Sequence, residues 1–276
     1  MIEEFVHSRG EAVKEIYLKL KRAGMEGVFS KYLQNSSPQV LENFFDEMKK
    51  VDFDWIVRHR TSLLEKKEDN ILSTDDVKPI EVKHYEEDSE KLKKIGLEAL
   101  SKGRVAVVTL AGGSATRFFS EGKNIAKVKG LFPITPVMGL CFLEIFALEI
   151  LEVGIEVGCM PLWLIMTSSA THTNILEWIS SNYLHGFPKE SIIVFQQAEN
   201  PRLDSEGLPI VDENGKLLWT GNGHGGVFKA LYDHGIINQI EELGIKYLVI
   251  HNVDNPVSKP LEPKRLGFHI SENKNF

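Results

Sequence analysis

An α/β fold, a mostly parallel sheet flanked by helices and preceded by an N-terminal helical region, is what three features of this sequence predict. The first ~100 residues carry apolar side chains at helical spacing. From Gly103 onward, short apolar runs alternate with amphipathic segments, the order that builds a parallel sheet with helical crossovers. The first of those runs, Val105 to Leu110, breaks into Ala111-Gly112-Gly113, and ligands of open α/β sheets bind at such carboxyl ends of strands.

The elements follow in order. Val13, Ile16, Tyr17 and Leu20 make one apolar stripe, and Leu41, Phe44, Phe45 and Met48 make another. Ser36-Ser37-Pro38 supplies a helix start, a hydroxyl cap followed by a proline that pre-sets φ. Glu65 to Asn70 and Thr74 to Pro79 are polar and read as loop, and Glu86 to Leu100 as a helix leading into Gly103. Beyond the first strand come a nearly all-round apolar helix at Phe142 to Leu151 and a strand at Leu162 to Thr167. A helix at Thr173 to Tyr183 and a strand at Ser191 to Gln197 follow. Leu208 to Val211 and Leu217 to Thr220 predict a hairpin around Asp212-Glu213-Asn214-Gly215. Val227 to His234 and Ile236 to Leu243 predict helices broken at Gly235, and Tyr247 to Val253 a last buried strand. The domains expected are residues 1–102, the N-terminal helical region, and residues 103–276, the sheet domain.

Composition narrows the function. With 276 residues, 42% hydrophobic and 26% charged, the chain has the make-up of an ordinary globular protein. A net charge of −7 argues against nucleic acid as a partner, which requires a broad basic surface. Cys141 and Cys159 both lie among apolar residues and read as buried, reduced thiols. Met1 to Gly10 is acidic and lacks the apolar core of a signal peptide, and no apolar run is long enough to span a bilayer. A soluble, cytoplasmic protein with no membrane partner is the expectation.

Polar and glycine-rich segments gather at the predicted strand ends. Ala111 to Arg117 follows the first strand, and two adjacent glycines there let a ligand approach backbone N–H groups. Lys123, Lys127 and Lys129 come next, leading into Gly130-Leu131-Phe132-Pro133. Phe195-Gln196-Gln197 ends one strand, Gly221-Asn222-Gly223-His224-Gly225-Gly226 opens a helix, and Asn252-Val253-Asp254-Asn255 ends the last strand. Each alone fits a tight turn, a core amide or a turn cap; their shared edge points to a ligand. The turn is not the Gly-x-Gly-x-x-Gly of a dinucleotide oxidoreductase.

Together these residues resemble the UDP-sugar pyrophosphorylase family, and within it the UDP-N-acetylglucosamine pyrophosphorylase branch. The resemblance runs from about Val105 to Phe268. It includes LWLIMTSSATHTNILEWI at Leu162 to Ile179, SIIVFQQ at Ser191 to Gln197, GNGHGGVFKAL at Gly221 to Leu231 and NVDN at Asn252 to Asn255. It implies a Rossmann-like nucleotidyltransferase sheet and transfer of uridylate from UTP to a sugar 1-phosphate, with Mg²⁺ as cofactor. Leu110, Ala111, Gly112, Gly113, Lys129, Gln196 and Gly223 would bind the nucleotide, Gln196 reading the uracil edge. Arg117 and Lys129 would be catalytic, neutralising phosphate. His224 and Asn255 would face the sugar, and Asp254 would hold the metal.

Three departures from the family pattern stand out. Ala115 takes the place of the third glycine in the turn. The spacer from Arg117 to Lys129 is longer than usual and Val128 replaces a proline, which leaves Lys123 and Lys127 as alternative phosphate contacts. The family's catalytic domain continues past the position of Phe276, so residues 103–276 are expected to be its N-terminal portion. N-acetylglucosamine 1-phosphate is the expected sugar. Glucose 1-phosphate is the alternative, since glucose-type relatives commonly have a histidine where His224 stands. A UTP-binding homologue with little turnover is the other alternative.

Overall fold

Helix caps and apolar stripes set the first elements. The computed structural model describes residues 2–65, 89–113 and 128–273. In it α1 spans Ile2–His7, α2 Glu11–Arg22, α3 Gly27–Lys31, α4 Pro38–Met48 and α5 Phe53–Leu64. Ser37 caps α4 by accepting the Val40 N–H, with Pro38 in the first turn, and Asp52 caps α5 by accepting the Trp55 N–H. The two predicted stripes meet in one core, where Ile16, Leu20, Leu41, Phe44, Phe45 and Met48 are all buried. The loop expected at Thr74 to Pro79 lies outside the described residues, as does most of the one expected at Glu65 to Asn70.

The next elements build the sheet. They are α6 (Ser89–Ser101), β1 (Val105–Leu110), α7 (Phe142–Val157), β2 (Leu162–Thr167), α8 (His172–Ser181) and β3 (Ile192–Gln196). Short strands β4 (Glu199–Pro201) and β5 (Trp219–Gly221) pair with each other. The chain then returns through α9 (Val227–Asp233), α10 (Ile236–Glu242), β6 (Tyr247–Asn252) and α11 (Pro263–Ser271). The larger sheet has the order β3-β2-β1-β6, and all its pairs are parallel. Val105 to Leu110 is buried throughout, as a central strand covered on both faces must be. One face carries Val105, Val107, Trp163 and Ile165 against Phe142, Phe146 and Ile150 of α7. The other carries Ala106, Val108, Leu164 and Phe195 against Val227, Ala230 and Leu231 of α9.

The chain divides into two units, though not at residue 102. One contains Met1–Glu81 and Glu199–Thr220, the other Val82–Ala198 and Gly221–Phe276. Leu208, Val211 and Leu217 of the predicted hairpin bury themselves in the helical core, so the segment from Glu199 belongs with the helices. Its two arms meet through single bridges such as Val211 with Leu217, and the Gly215 N–H closes the turn on the Asp212 carbonyl. Helix α6 belongs to the sheet unit, where it packs on α11 at backbone contact. A Cβ on Gly96 would lie 1.9 Å from the Pro263 carbonyl oxygen, and one on Gly267 would lie 1.8 Å from that of Leu92. Gly267→Ala is therefore expected to destabilise by about 1–3 kcal/mol, the usual cost of overpacking. An unchanged urea midpoint would contradict this close approach.

Both cysteines are free thiols. Cys141 is buried at the start of α7, and burial pushes its thiol up to about 12, which makes it unreactive. Cys159 is only half-buried, less than its apolar neighbours predict, because it follows Gly158 at the end of α7.

Candidate functional site

The carboxyl ends of β1, β3 and β6 bring the predicted segments of the sheet unit to one edge. Leu110 and Ala111 are buried, and the Ala111 N–H donates to the Met166 carbonyl at 2.7 Å. Thr171 Oγ1 donates to the Ala111 carbonyl at 3.2 Å, which leaves Gly112 and Gly113 to turn away from the sheet. Val253 N–H donates to the Leu110 carbonyl at 3.2 Å and ties the end of β6 beside the same turn. Arg117, Ala115, Lys123 and Lys127 lie outside the described residues.

Lys129 stands over this turn. Its N–H is 3.4 Å from the Gly113 carbonyl, and a Cβ on Gly113 would lie 3.6 Å from Lys129 Cε. Lys129 Nζ donates to Asp254 Oδ2 at 2.8 Å. This joins the predicted phosphate ligand to the predicted metal ligand, a pairing the sequence did not suggest. The Lys129 hydrogen bond and charge hold the Asp254 carboxyl below its usual range, and His224 adds to the effect. Asp254 remains 43% exposed, so its second oxygen is within reach of solvent species. Val128 is buried in the core, which accounts for an apolar residue directly before the lysine.

The glutamine pair separates by strand parity. Gln196 shares a side of β3 with Ile192 and Val194, and its carbonyl lies 3.1 Å from His234 Nε2. Gln197 follows Ile193 and Phe195 on the side of α9. Its N–H donates to the Thr167 carbonyl at 2.8 Å, and its amide lies between two glycine backbones. A Cβ on Gly112 would lie 3.2 Å from Gln197 Nε2, and one on Gly221 only 2.0 Å away. Neither glycine can gain a side chain without displacing the Gln197 amide.

The Gly221 to Gly226 segment leads into α9. Gly223 has φ +82°, a region L-residues rarely adopt, and forms the corner before the turn of His224 to Gly226. Gly223 and His224 are exposed. Asn222 N–H donates to the Ala198 carbonyl at 3.0 Å. Its side-chain Oδ1 is buried without a hydrogen-bond partner among the described residues. Asn255 is exposed beside Asp254, and its N–H donates to the Asn252 carbonyl at 3.2 Å.

Gln197 and Asn222 are the residues that the sequence reading did not single out. Alternation along Ile193, Phe195 and Gln197 was the available signal for the first, because it places that amide on the face of the glycine-rich segment. Among the described residues, no group of three His, Cys, Asp or Glu side chains is placed to hold a metal. None of the helices searched among these residues is long and apolar enough to cross a membrane.

Comparison with known proteins shows the family of the chain. The family model described as UTP–glucose-1-phosphate uridylyltransferase matches residues 53–276. A relative from Dictyostelium discoideum, named a probable UDP-N-acetylglucosamine pyrophosphorylase, is 31% identical over 256 residues, 89% of this chain and 52% of the relative. UDP-N-acetylglucosamine diphosphorylase 2 of Arabidopsis thaliana is 28% identical over 271 residues, 92% of this chain and 53% of the relative. The crystal structure of the Trypanosoma brucei uridine diphosphate N-acetylglucosamine pyrophosphorylase superposes with a TM-score of 0.68 at 21% identity, a likeness of fold. That match covers 96% of this chain and 55% of the other. The chain spans about half the length of the relatives it matches.

Proposed function

Because the chain belongs to the UTP–glucose-1-phosphate uridylyltransferase family, we propose that it binds UTP at this sheet edge and serves uridylyl transfer to a sugar 1-phosphate. The observation that carries the reading is the convergence of the Gly112-Gly113 turn, the Gln197 amide and the Lys129–Asp254 pair at the carboxyl ends of β1, β3 and β6. N-acetylglucosamine 1-phosphate is the substrate this reading favours, in line with the names of the relatives.

The chemistry asks for positioning and charge. The sugar-phosphate oxygen attacks the α-phosphorus of UTP, one phosphate–oxygen bond forms, and pyrophosphate leaves with the pair from the bond that breaks. Two polyanions must be brought together, so electrostatic stabilisation and orientation supply most of the rate. Lys129 would take a UTP phosphate and Arg117 would assist it. His224 and Asn255, both exposed at this edge, would meet the sugar. Asp254 would hold Mg²⁺, which when bound supplies positive charge against the phosphates. A single carboxylate suits that ion, since Mg²⁺ takes its remaining ligands from substrate phosphate and water. Lys129 and Asp254 now neutralise one another; a phosphate at the first and a hard cation at the second would replace one ion pair by two.

Reading of the base is assigned to Gln197 rather than Gln196, on its place between Gly112 and Gly221. An amide both donates and accepts, as the uracil edge requires. Gln197→Leu is expected to weaken UTP binding by about 1–3 kcal/mol, the cost of leaving a buried polar group unpaired. Gln196→Leu should bind UTP nearly as the unaltered chain does. The reverse order in calorimetric titrations would return the role to Gln196.

A second reading, UTP binding with little turnover, is favoured by Ala115 in place of the turn's third glycine. Pyrophosphate release from UTP with each sugar phosphate decides between the two. Faster turnover with N-acetylglucosamine 1-phosphate supports the first reading, and a preference for glucose 1-phosphate changes the substrate but keeps the reaction. No release with either, alongside intact UTP binding, selects the second reading.

A further inference from the structure

His251 is buried near the end of β6, 8% exposed, and has no role in the chemistry above. Its ring meets Phe146 edge-on with centroids 4.4 Å apart, and both nitrogens are engaged. Nε2 lies 2.7 Å from Thr109 Oγ1, and Nδ1 lies 3.2 Å from Ser258 Oγ. Trp163 Nε1–H donates to the same Thr109 oxygen at 2.8 Å. An indole N–H can only donate, so the Thr109 hydroxyl accepts it and keeps its own hydrogen and a second lone pair for the contact with His251 Nε2. The contact of His251 Nδ1 with the Ser258 hydroxyl completes a chain of polar contacts from β2 through β1 and β6 to the following loop.

Two members of this series of contacts, Thr109 and Ser258, adjoin the two halves of the candidate site. Thr109 directly precedes Leu110, Ala111 and the glycine turn. Ser258 closes the loop that carries Asp254: Asn255 N–H donates to the Asn252 carbonyl at 3.2 Å, and Ser258 N–H to the Asn255 carbonyl at 3.1 Å. Arg265 Nη1 secures the Ser258 carbonyl from α11 at 3.0 Å. Residues 252–257 thus form a loop whose neck is the contact between the His251 ring and the Ser258 hydroxyl. A carboxylate on an exposed loop needs such a tie, because small misplacements of a charge-bearing group are costly in catalysis.

We infer that His251 and Ser258 are positioning residues, which fix the Asp254 loop against the end of β1 and so set where a metal–nucleotide complex meets the carboxylate. The inference rests on the reading of Asp254 as the cation-holding residue. Partners beyond a metal's own ligands commonly tune its affinity about 10- to 100-fold.

Ser258→Ala cuts the neck and leaves the buried His251–Thr109–Trp163 contacts in place. Three quantities are to be read on the whole chain: UTP affinity without metal, Mn²⁺ affinity at saturating UTP by water-proton relaxation, and melting temperature. The expected result for Ser258→Ala is a loss of Mn²⁺ affinity of about tenfold or more with the other two unchanged. Ser258→Thr, which keeps the hydroxyl, should retain Mn²⁺ affinity. Unchanged Mn²⁺ affinity in Ser258→Ala overturns the inference. So does a joint fall of UTP affinity and melting temperature, which would make the contact a support of the fold. Failure of the unaltered chain to bind UTP at all would overturn the underlying reading, and this inference with it.

Discussion

Lys129→Ala is expected to weaken UTP binding by about one to two orders of magnitude, because a charge-assisted hydrogen bond to phosphate contributes about 1.5–3 kcal/mol. The side chain is only 18% exposed and lies over the Gly113 backbone, so its charge acts where water screens it poorly. The substitution also leaves Asp254 without the cation that holds its carboxyl below the usual range, and two negative groups then face one another. Lys123→Ala and Lys127→Ala should have smaller effects. Calorimetric titration of the three variants with UTP checks this. A damaging Lys127→Ala beside a harmless Lys129→Ala would mean that the long spacer places a different lysine on the phosphates.

The second large effect is a loss of stability in mild acid. Burial lowers His251 to about 4, well below the ordinary value for histidine, and Arg265 acts in the same direction. The unfolded chain therefore binds more protons than the folded one between about pH 4 and 6.5, and stability falls as pH falls through that window. The loss attributable to this residue is about 2 kcal/mol from pH 7 to 5, approaching about 3 kcal/mol near pH 4. Burial lowers His172 as well, with the same sign. Urea unfolding of the unaltered chain and of His251→Gln, which cannot take the proton, isolates the term. Equal pH slopes in the two proteins would contradict a neutral, buried His251.

The same residues show what the sequence could reveal. Short apolar runs placed β1, β2, β3 and β6, and helical patterns placed α6 to α10, because burying an apolar surface determines those elements locally. Helix α6 carried such a stripe too, yet no pattern says which surface will cover it. Its approach to α11 through Gly96 and Gly267 put it in the sheet unit, past the boundary expected at residue 102. The segment from Glu199 to Thr220 was misplaced for a related reason, since Leu208, Val211 and Leu217 fit any core of suitable volume. The site's backbone, Ala111 to Gly113 and Gly221 to Gly226, was legible because tight turns and close approach demand glycine. Its side-chain pairings were not. Lys129 and Asp254 lie 125 residues apart in sequence, and only the parallel register of β1 with β6 brings their neighbourhoods together. For Gln196 and Gln197, alternation separates the two onto opposite faces of β3, and the packing of Ile193 and Phe195 with α9 shows which face meets the glycine-rich segment.

The shared carboxyl edge of β1, β3 and β6 is proposed as a site for a uridine nucleotide. Titrating the chain with UTP and then with CTP in the same Mg²⁺ buffer tests it most directly. The prediction is saturable binding of UTP at one site per chain, with CTP weaker by about tenfold or more, since cytosine presents a different donor and acceptor edge to the Gln197 amide. Equal affinities for the two nucleotides, or no binding of UTP, would contradict it.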